Sequence, residues 1–169
     1  MNSALIRKIT MGGVLTAIIT VMTSMQIPLA SGHGYLNLGD LAIVASVFVF
    51  PEYFYSAAAA GIGSCLCDII SGYGIYAPAT LITKAVFALC CVFVTKKMPD
   101  RRFTIFMLIP LAIVVPTGYF IWEYFVLRLG IVITRYDALF NFIQSAVGIA
   151  GGYAAGICAE RIIRKINSK

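Results

Sequence analysis

Phe103 to Leu127, FTIFMLIPLAIVVPTGYFIWEYFVL, runs for 25 residues with a single charge, Glu123. About 20 apolar residues are enough for a helix to cross about 30 Å of hydrocarbon, so this stretch predicts a membrane span. Five more apolar stretches surround it: Ile9 to Leu29, Leu41 to Phe50, Tyr53 to Ile70, Ala77 to Thr95 and Ala138 to Ala159. The one from Leu41 to Phe50 is bounded by Asp40 and by Pro51-Glu52, which leaves a partial or tilted span. Hydrophobic residues make up 60% of the chain and the mean hydropathy is +0.92, values that exclude an ordinary soluble domain. The expected architecture is all-α, a single bundle of six transmembrane helices over residues 1–169.

The basic residues give the orientation, because Lys and Arg in short loops stay on the cytoplasmic side. Six crossings put the N-terminus, the second and fourth loops and the C-terminus in one compartment. Ten of the thirteen basic residues fall there: Arg7, Lys8, Lys96, Lys97, Arg101, Arg102, Arg161, Arg164, Lys165 and Lys169. Both termini are therefore expected in the cytoplasm. The net charge of +6 follows from this asymmetry, and no nucleic-acid partner is needed to explain it. The first apolar stretch is long for a signal-peptide core and lacks a small-residue cleavage site, so it is expected to remain as the first helix. Cys65, Cys67, Cys90, Cys91 and Cys158 lie inside spans without a companion histidine, and read as small packing residues rather than metal ligands.

Helices in lipid associate through close packing of small residues. Gly148, Gly152 and Gly156 form one such ridge, and Ala57, Gly61 and Cys65 another. Gly13 and Ala17 form a third on the first span, suited either to internal packing or to docking on another membrane subunit.

Charges inside a membrane default to functional hypotheses. Asp40, Asp68, Lys84, Glu123, Arg128, Arg135 and Asp137 all fall in the outer half or in outer loops, the last three in the fifth loop. Tyr73, Tyr76, Tyr119, Trp122, Tyr136, Asn141 and Gln144 gather at the same level. Tyr119 and Glu123 share a helix face. Flat rings among a few polar groups suit a small aromatic, hydrogen-bonding solute. The competing reading is an interfacial aromatic belt for the Tyr and Trp residues, and a structural ion pair for Asp68 and Lys84. The candidate site comprises Tyr35, Asn37, Asp68, Tyr73, Tyr76, Lys84, Tyr119, Trp122, Glu123, Asn141 and Gln144. Gly32, Gly34 and Gly39 in the first outer loop permit a lid over this region; His33 in that loop reads as an exposed residue. No Walker loop, HExxH, GxSxG or paired catalytic carboxylates occur. The chain reads as a binder that is not an enzyme, with no catalytic residues, metal or cofactor. A small intramembrane enzyme and a structural membrane subunit are the alternatives.

Tyr35-Leu36-Asn37-Leu38-Gly39-Asp40, then Gly61-Ile62-Gly63-Ser64 through Asp68-Ile69-Ile70-Ser71-Gly72-Tyr73, then Ala77-Pro78-Ala79-Thr80-Leu81-Ile82-Thr83-Lys84 resemble the substrate-binding S components of energy-coupling factor (ECF) vitamin transporters. The group with riboflavin, pyridoxine, pantothenate and hydroxymethylpyrimidine members is the most similar. The resemblance implies a multi-pass protein of the prokaryotic cell membrane that captures a vitamin-like small molecule from outside. It would act with an ECF membrane coupling subunit and two cytoplasmic ATPase subunits, toppling in the lipid bilayer to release its cargo. It also implies docking of the coupling subunit on the small-residue motif that Gly13 and Ala17 match. The acid and rings at Tyr119, Trp122, Glu123 and Asn141 favour pyridoxine or hydroxymethylpyrimidine, with riboflavin next.

Overall fold

The computed structural model describes residues 2–98 and 100–167, so Lys169 of the basic set lies outside the described residues. Helix α1 (Ser3–Ser24) leads into a short hairpin, β1 (Gln26–Pro28) paired antiparallel with β2 (Tyr35–Asn37). There follow α2 (Gly39–Val49), α3 (Tyr53–Ile70) and α4 (Ala77–Lys97). The stretch quoted above becomes a jointed rod: α5 (Arg101–Leu108), a 3-10 turn (Ile109–Ile113), α6 (Val114–Ile121) and a π turn (Trp122–Val126). Pro110 sits in the 3-10 turn, where a missing N–H and a clashing ring disfavour a regular α-helix. Helix α7 (Ile131–Asn167) closes the chain.

Five rods are long and apolar enough to span a membrane: α1, α3, α4, the jointed Arg101–Val126 rod and α7. The sixth, α2, has only 11 residues, about 16 Å at helical rise. It can be short because it lies within the bundle, packed on α7, α1, α4 and α3. Ile43, Val44 and Val47 are fully buried there and, with Phe48, join the core of Ile19, Phe87, Val92, Leu108 and Val115. Long rods, by contrast, turn Ile9, Val21, Ile70, Ile82, Phe106, Val132 and many other large apolar side chains outward. Water does not tolerate such a surface over a whole molecule; lipid does.

The glycine ridge of α7 is what lets α2 in. A Cβ at Gly148 would lie 2.6 Å from Asp40 Cβ, one at Gly152 would lie 2.6 Å from the Leu41 carbonyl oxygen, and one at Gly156 would enter the Phe48 ring. On α3, a Cβ at Gly61 would lie 2.7 Å from the Leu81 carbonyl oxygen of α4, while Ala57 and Cys65 flank that contact half-buried. Gly13 and Ala17 of α1 are exposed, and nothing stands within 4 Å of a Cβ built at Gly13. Internal packing therefore uses Gly12, against Tyr55, and not the Gly13–Ala17 face.

The rods alternate in direction. One end of the bundle gathers Lys8 with Glu52 at 3.1 Å, the Lys96 ammonium 4.4 Å from the Tyr53 ring centre, and Arg101 with Glu160. Arg101 grips both Glu160 oxygens at 3.0 Å, a bidentate pair that ties the start of α5 to the end of α7. Both termini thus share an end. The opposite end carries the hairpin and the loops after α3 and after the π turn.

Several boundaries differ from the sequence reading, among them the end of α7, which runs to Asn167 instead of Ala159. The first apolar stretch bends after Met25 into a strand, so Ile27 to Leu29 belong to the hairpin. Helix α7 starts seven residues before the last apolar stretch, so Arg135, Tyr136 and Asp137 are helical and not part of a loop. The turn before it is short, with Arg128 (φ 54°) and Gly130 (φ 84°) in the left-handed region.

Candidate functional site

The hairpin roofs a cavity at the end away from the termini. Leu29, Gly34, Tyr35 and Asn37 come from the hairpin, Asp68 and Tyr73 from the end of α3 and its loop, and Tyr76 and Thr80 from the start of α4. Tyr119 and Glu123 descend from α6 and the π turn, and Asp137, Asn141 and Gln144 form an i, i+4, i+7 stripe on α7. The cavity is narrow as it stands, with about 30 Å³ of free volume.

The hairpin is fastened at several points, which makes it a fixed roof rather than a free flap. Tyr35 donates its hydroxyl to Asp68 Oδ1 in a short hydrogen bond. Asn37 N–H donates to Gln144 Oε1 at 2.8 Å, and Gln26 Nε2 donates to Ser71 Oγ at 3.0 Å. Tyr73 is turned back toward the roof by its N–H bond to the Asp68 carbonyl, and its ring lies 4.8 Å from that of Tyr35. Burial, and next the Asp68 carboxylate, hold the Tyr35 phenol well above its usual pKa; burial and next Glu123 do the same for Tyr76. Both hydroxyls therefore remain protonated donors at physiological pH. Thr80 Oγ1 and Tyr119 Oη share a hydrogen bond of 2.9 Å in the wall.

Buried acceptors dominate what is left open. Asp68 Oδ2, Glu123 Oε2 and both Asp137 oxygens have no hydrogen-bond partner among the described residues, and neither does the Tyr76 hydroxyl. Buried polar atoms are nearly always paired in a finished structure. A set of unpaired acceptors around one cavity can take donors from outside the chain, water included.

The model of the family described as ECF-type riboflavin transporter, S component, matches residues 3–163. The chain belongs to this family. Among curated proteins, 67 residues are 39% identical to a protein of Pyrococcus woesei described as an uncharacterized protein in gap 3'region. That match spans 39% of this chain and 44% of the relative, so less than half of that protein is represented here. No solved structure matches the chain.

Within this S component, nine of the candidate residues meet at the cavity: Tyr35, Asn37, Asp68, Tyr73, Tyr76, Tyr119, Glu123, Asn141 and Gln144. Two do not. Lys84 is 1% exposed and bound to Asp40 Oδ1 at 2.5 Å, beneath the cavity and 5.7 Å from the Tyr119 ring centre. It is a structural ion pair, but with Asp40 instead of Asp68. Gln144 Nε2 donates to the other Asp40 oxygen at 3.0 Å, so both carboxylate oxygens are hydrogen-bonded, across α2, α4 and α7. Trp122 turns away from the lining and donates Nε1–H to the Ile75 carbonyl at 3.1 Å, bracing the loop before α4. Asp137 and Thr80 line the cavity without having been singled out for it. For Asp137 the missed signal is the stripe it makes with Asn141 and Gln144, visible only if α7 is begun before residue 137. His33, expected to be exposed, is half-buried in the hairpin turn.

Proposed function

We propose that this vitamin-transporter S component captures a flat, donor-rich vitamin of the riboflavin type in the cavity under the hairpin. The observation that carries the reading is the ring of unpartnered buried acceptors, Asp68 Oδ2, Glu123 Oε2 and the Asp137 carboxylate, beside the rings of Tyr73, Tyr76 and Tyr119. A ring system bearing a polyhydroxylated chain supplies several donors and a stacking face together. The family's description names riboflavin, which moves that vitamin ahead of pyridoxine and hydroxymethylpyrimidine, whose smaller rings offer fewer donors. Titration of the purified protein with these three vitamins tests the order. Flavin fluorescence should be quenched on binding, and stronger binding of either smaller ring than of riboflavin would reverse it.

In the same reading the cavity opens to the outside of a prokaryotic plasma membrane and the shared end of the termini faces the cytoplasm. Delivery inward requires an ECF coupling subunit and two ATPase subunits. The exposed Gly13–Ala17 face of α1 is the proposed docking surface, supported by the absence of any internal neighbour at Gly13 and by the small-residue requirement of close helix contact in lipid.

A further inference from the structure

The charge balance of the cavity is one-sided. Asp68, Glu123 and Asp137 reach it from three different rods, at 2%, 2% and 0% exposure. None of the basic residues at this end lines the cavity, although Lys84 acts on Asp68 and His33 on Asp137 from behind the wall. Lys84 is neutralised by Asp40 and does not reach the lining. Arg128 and Arg135 are exposed and outside it. His33 interacts with Asp137 from the hairpin turn but does not line the cavity either. Among the described residues the lining therefore holds three acids and no base; its other side chains are tyrosine, threonine, amide and one leucine.

We propose that the cavity selects by charge, taking the neutral or cationic form of its vitamin and rejecting the phosphorylated or carboxylated form, with Asp137 and Glu123 as the specificity-determining pair. The inference rests on the cavity being the vitamin site, and is independent of which vitamin enters. A carboxylate ring can accept from hydroxyls, amines or a protonated ring nitrogen. An added phosphate brings up to two negative charges and only acceptors, into a water-poor space where like charges repel strongly. The imbalance does not depend on every acid being ionised: with one or more of them protonated, the lining still holds no base to receive an anion.

The test compares riboflavin with riboflavin 5′-phosphate, and pyridoxine with pyridoxine 5′-phosphate, on the full-length purified chain and its Asp137→Asn and Glu123→Gln variants. For whichever vitamin binds, the unphosphorylated member of its pair should bind at least about 100-fold more tightly. Each amide variant should narrow that ratio by about tenfold or more, chiefly by improving the phosphate ester. Phosphate esters binding within about threefold of the free vitamin, or a ratio unmoved in both variants, overturns the proposal. A vitamin-free arm separates it from the substrate reading. Tyr73→Cys in a background whose five cysteines are replaced by alanine should react faster with a cationic than with an anionic methanethiosulfonate, by about tenfold relative to a free thiol. That preference should fall when Asp137→Asn and Glu123→Gln are added. If no vitamin of the panel binds but the preference holds, the vitamin assignment fails and the charge selection stands; equal reaction rates overturn the charge selection itself.

Discussion

Lys84 enters α4 seven residues past its start and is among the largest fully buried side chains of the described residues. Its ammonium and the Asp40 carboxylate hold three helices at one point, and removing one partner strands the other in a water-free interior. Lys84→Met is expected to destabilise the protein by about 3 to 5 kcal/mol. The double variant Asp40→Asn with Lys84→Met should recover most of that loss, because neither residue then carries a charge. Thermal unfolding of the three proteins in one detergent measures both outcomes, and a Lys84→Met variant as stable as the parent would show that the pair bears no structural load. The same residue shows where sequence reading stops. Depth is legible from position along a helix, which is why Tyr119, Glu123 and Asn141 could be placed at the level of Asp68. Direction around the axis is not, unless the neighbouring helices are known. Lys84 and Trp122 have the right depth and the wrong azimuth, one pointing to Asp40 and the other to the Ile75 carbonyl.

At the scale of elements, apolar windows identify rods but not their limits. Asp137 and Arg135 at one end of α7, and Glu160 and Arg161 at the other, lie outside the apolar window and inside the helix; the backbone hydrogen-bond ladder continues where hydropathy stops. Helix α2 shows the opposite case, an apolar run too short to span lipid and used as core. Small-residue spacing marks close contact without saying with whom. The α7 ridge and the Gly13–Ala17 pair have the same spacing, yet the first is filled by α2 and the second faces outward. Substitution separates them. Gly152→Leu drives a side chain into the Leu41 carbonyl and Val44, and should lower stability by about 1 to 3 kcal/mol or abolish folding. Gly13→Leu with Ala17→Leu meets no internal neighbour at position 13 and should leave stability and vitamin binding within about twofold of the parent. The double variant should nevertheless lose uptake in proteoliposomes containing the coupling and ATPase subunits, and should lose co-purification with the coupling subunit. Normal uptake would move the docking surface to another face.

For the whole molecule, the bundle has a distinct polarity. One end holds the termini and the ion pairs of Lys8, Arg101 and Arg164, all three with acidic partners, while further cations at Arg7, Lys97 and Arg102 enrich that end in positive charge. The other end holds the roofed, acid-lined cavity. In the proposed orientation, retention of positive loops in the cytoplasm puts the cavity on the outside, where a protein that captures a solute from outside has to present it. Two reporter positions decide the matter, each in the background lacking the native cysteines. Gly74 lies in the loop between α3 and α4, exposed and with nothing within 4 Å of an added Cβ, so Gly74→Cys should leave the fold unchanged. Met98 follows α4 at the opposite end, beside the ion-pair cluster. In intact cells a membrane-impermeant maleimide should label Gly74→Cys and leave Met98→Cys unmodified until the membrane is opened. The reverse pattern would invert the protein, placing the cavity in the cytoplasm and making capture from outside untenable, whereas labelling of both positions in intact cells would mean that the two ends of the bundle share one side and that the rods do not cross.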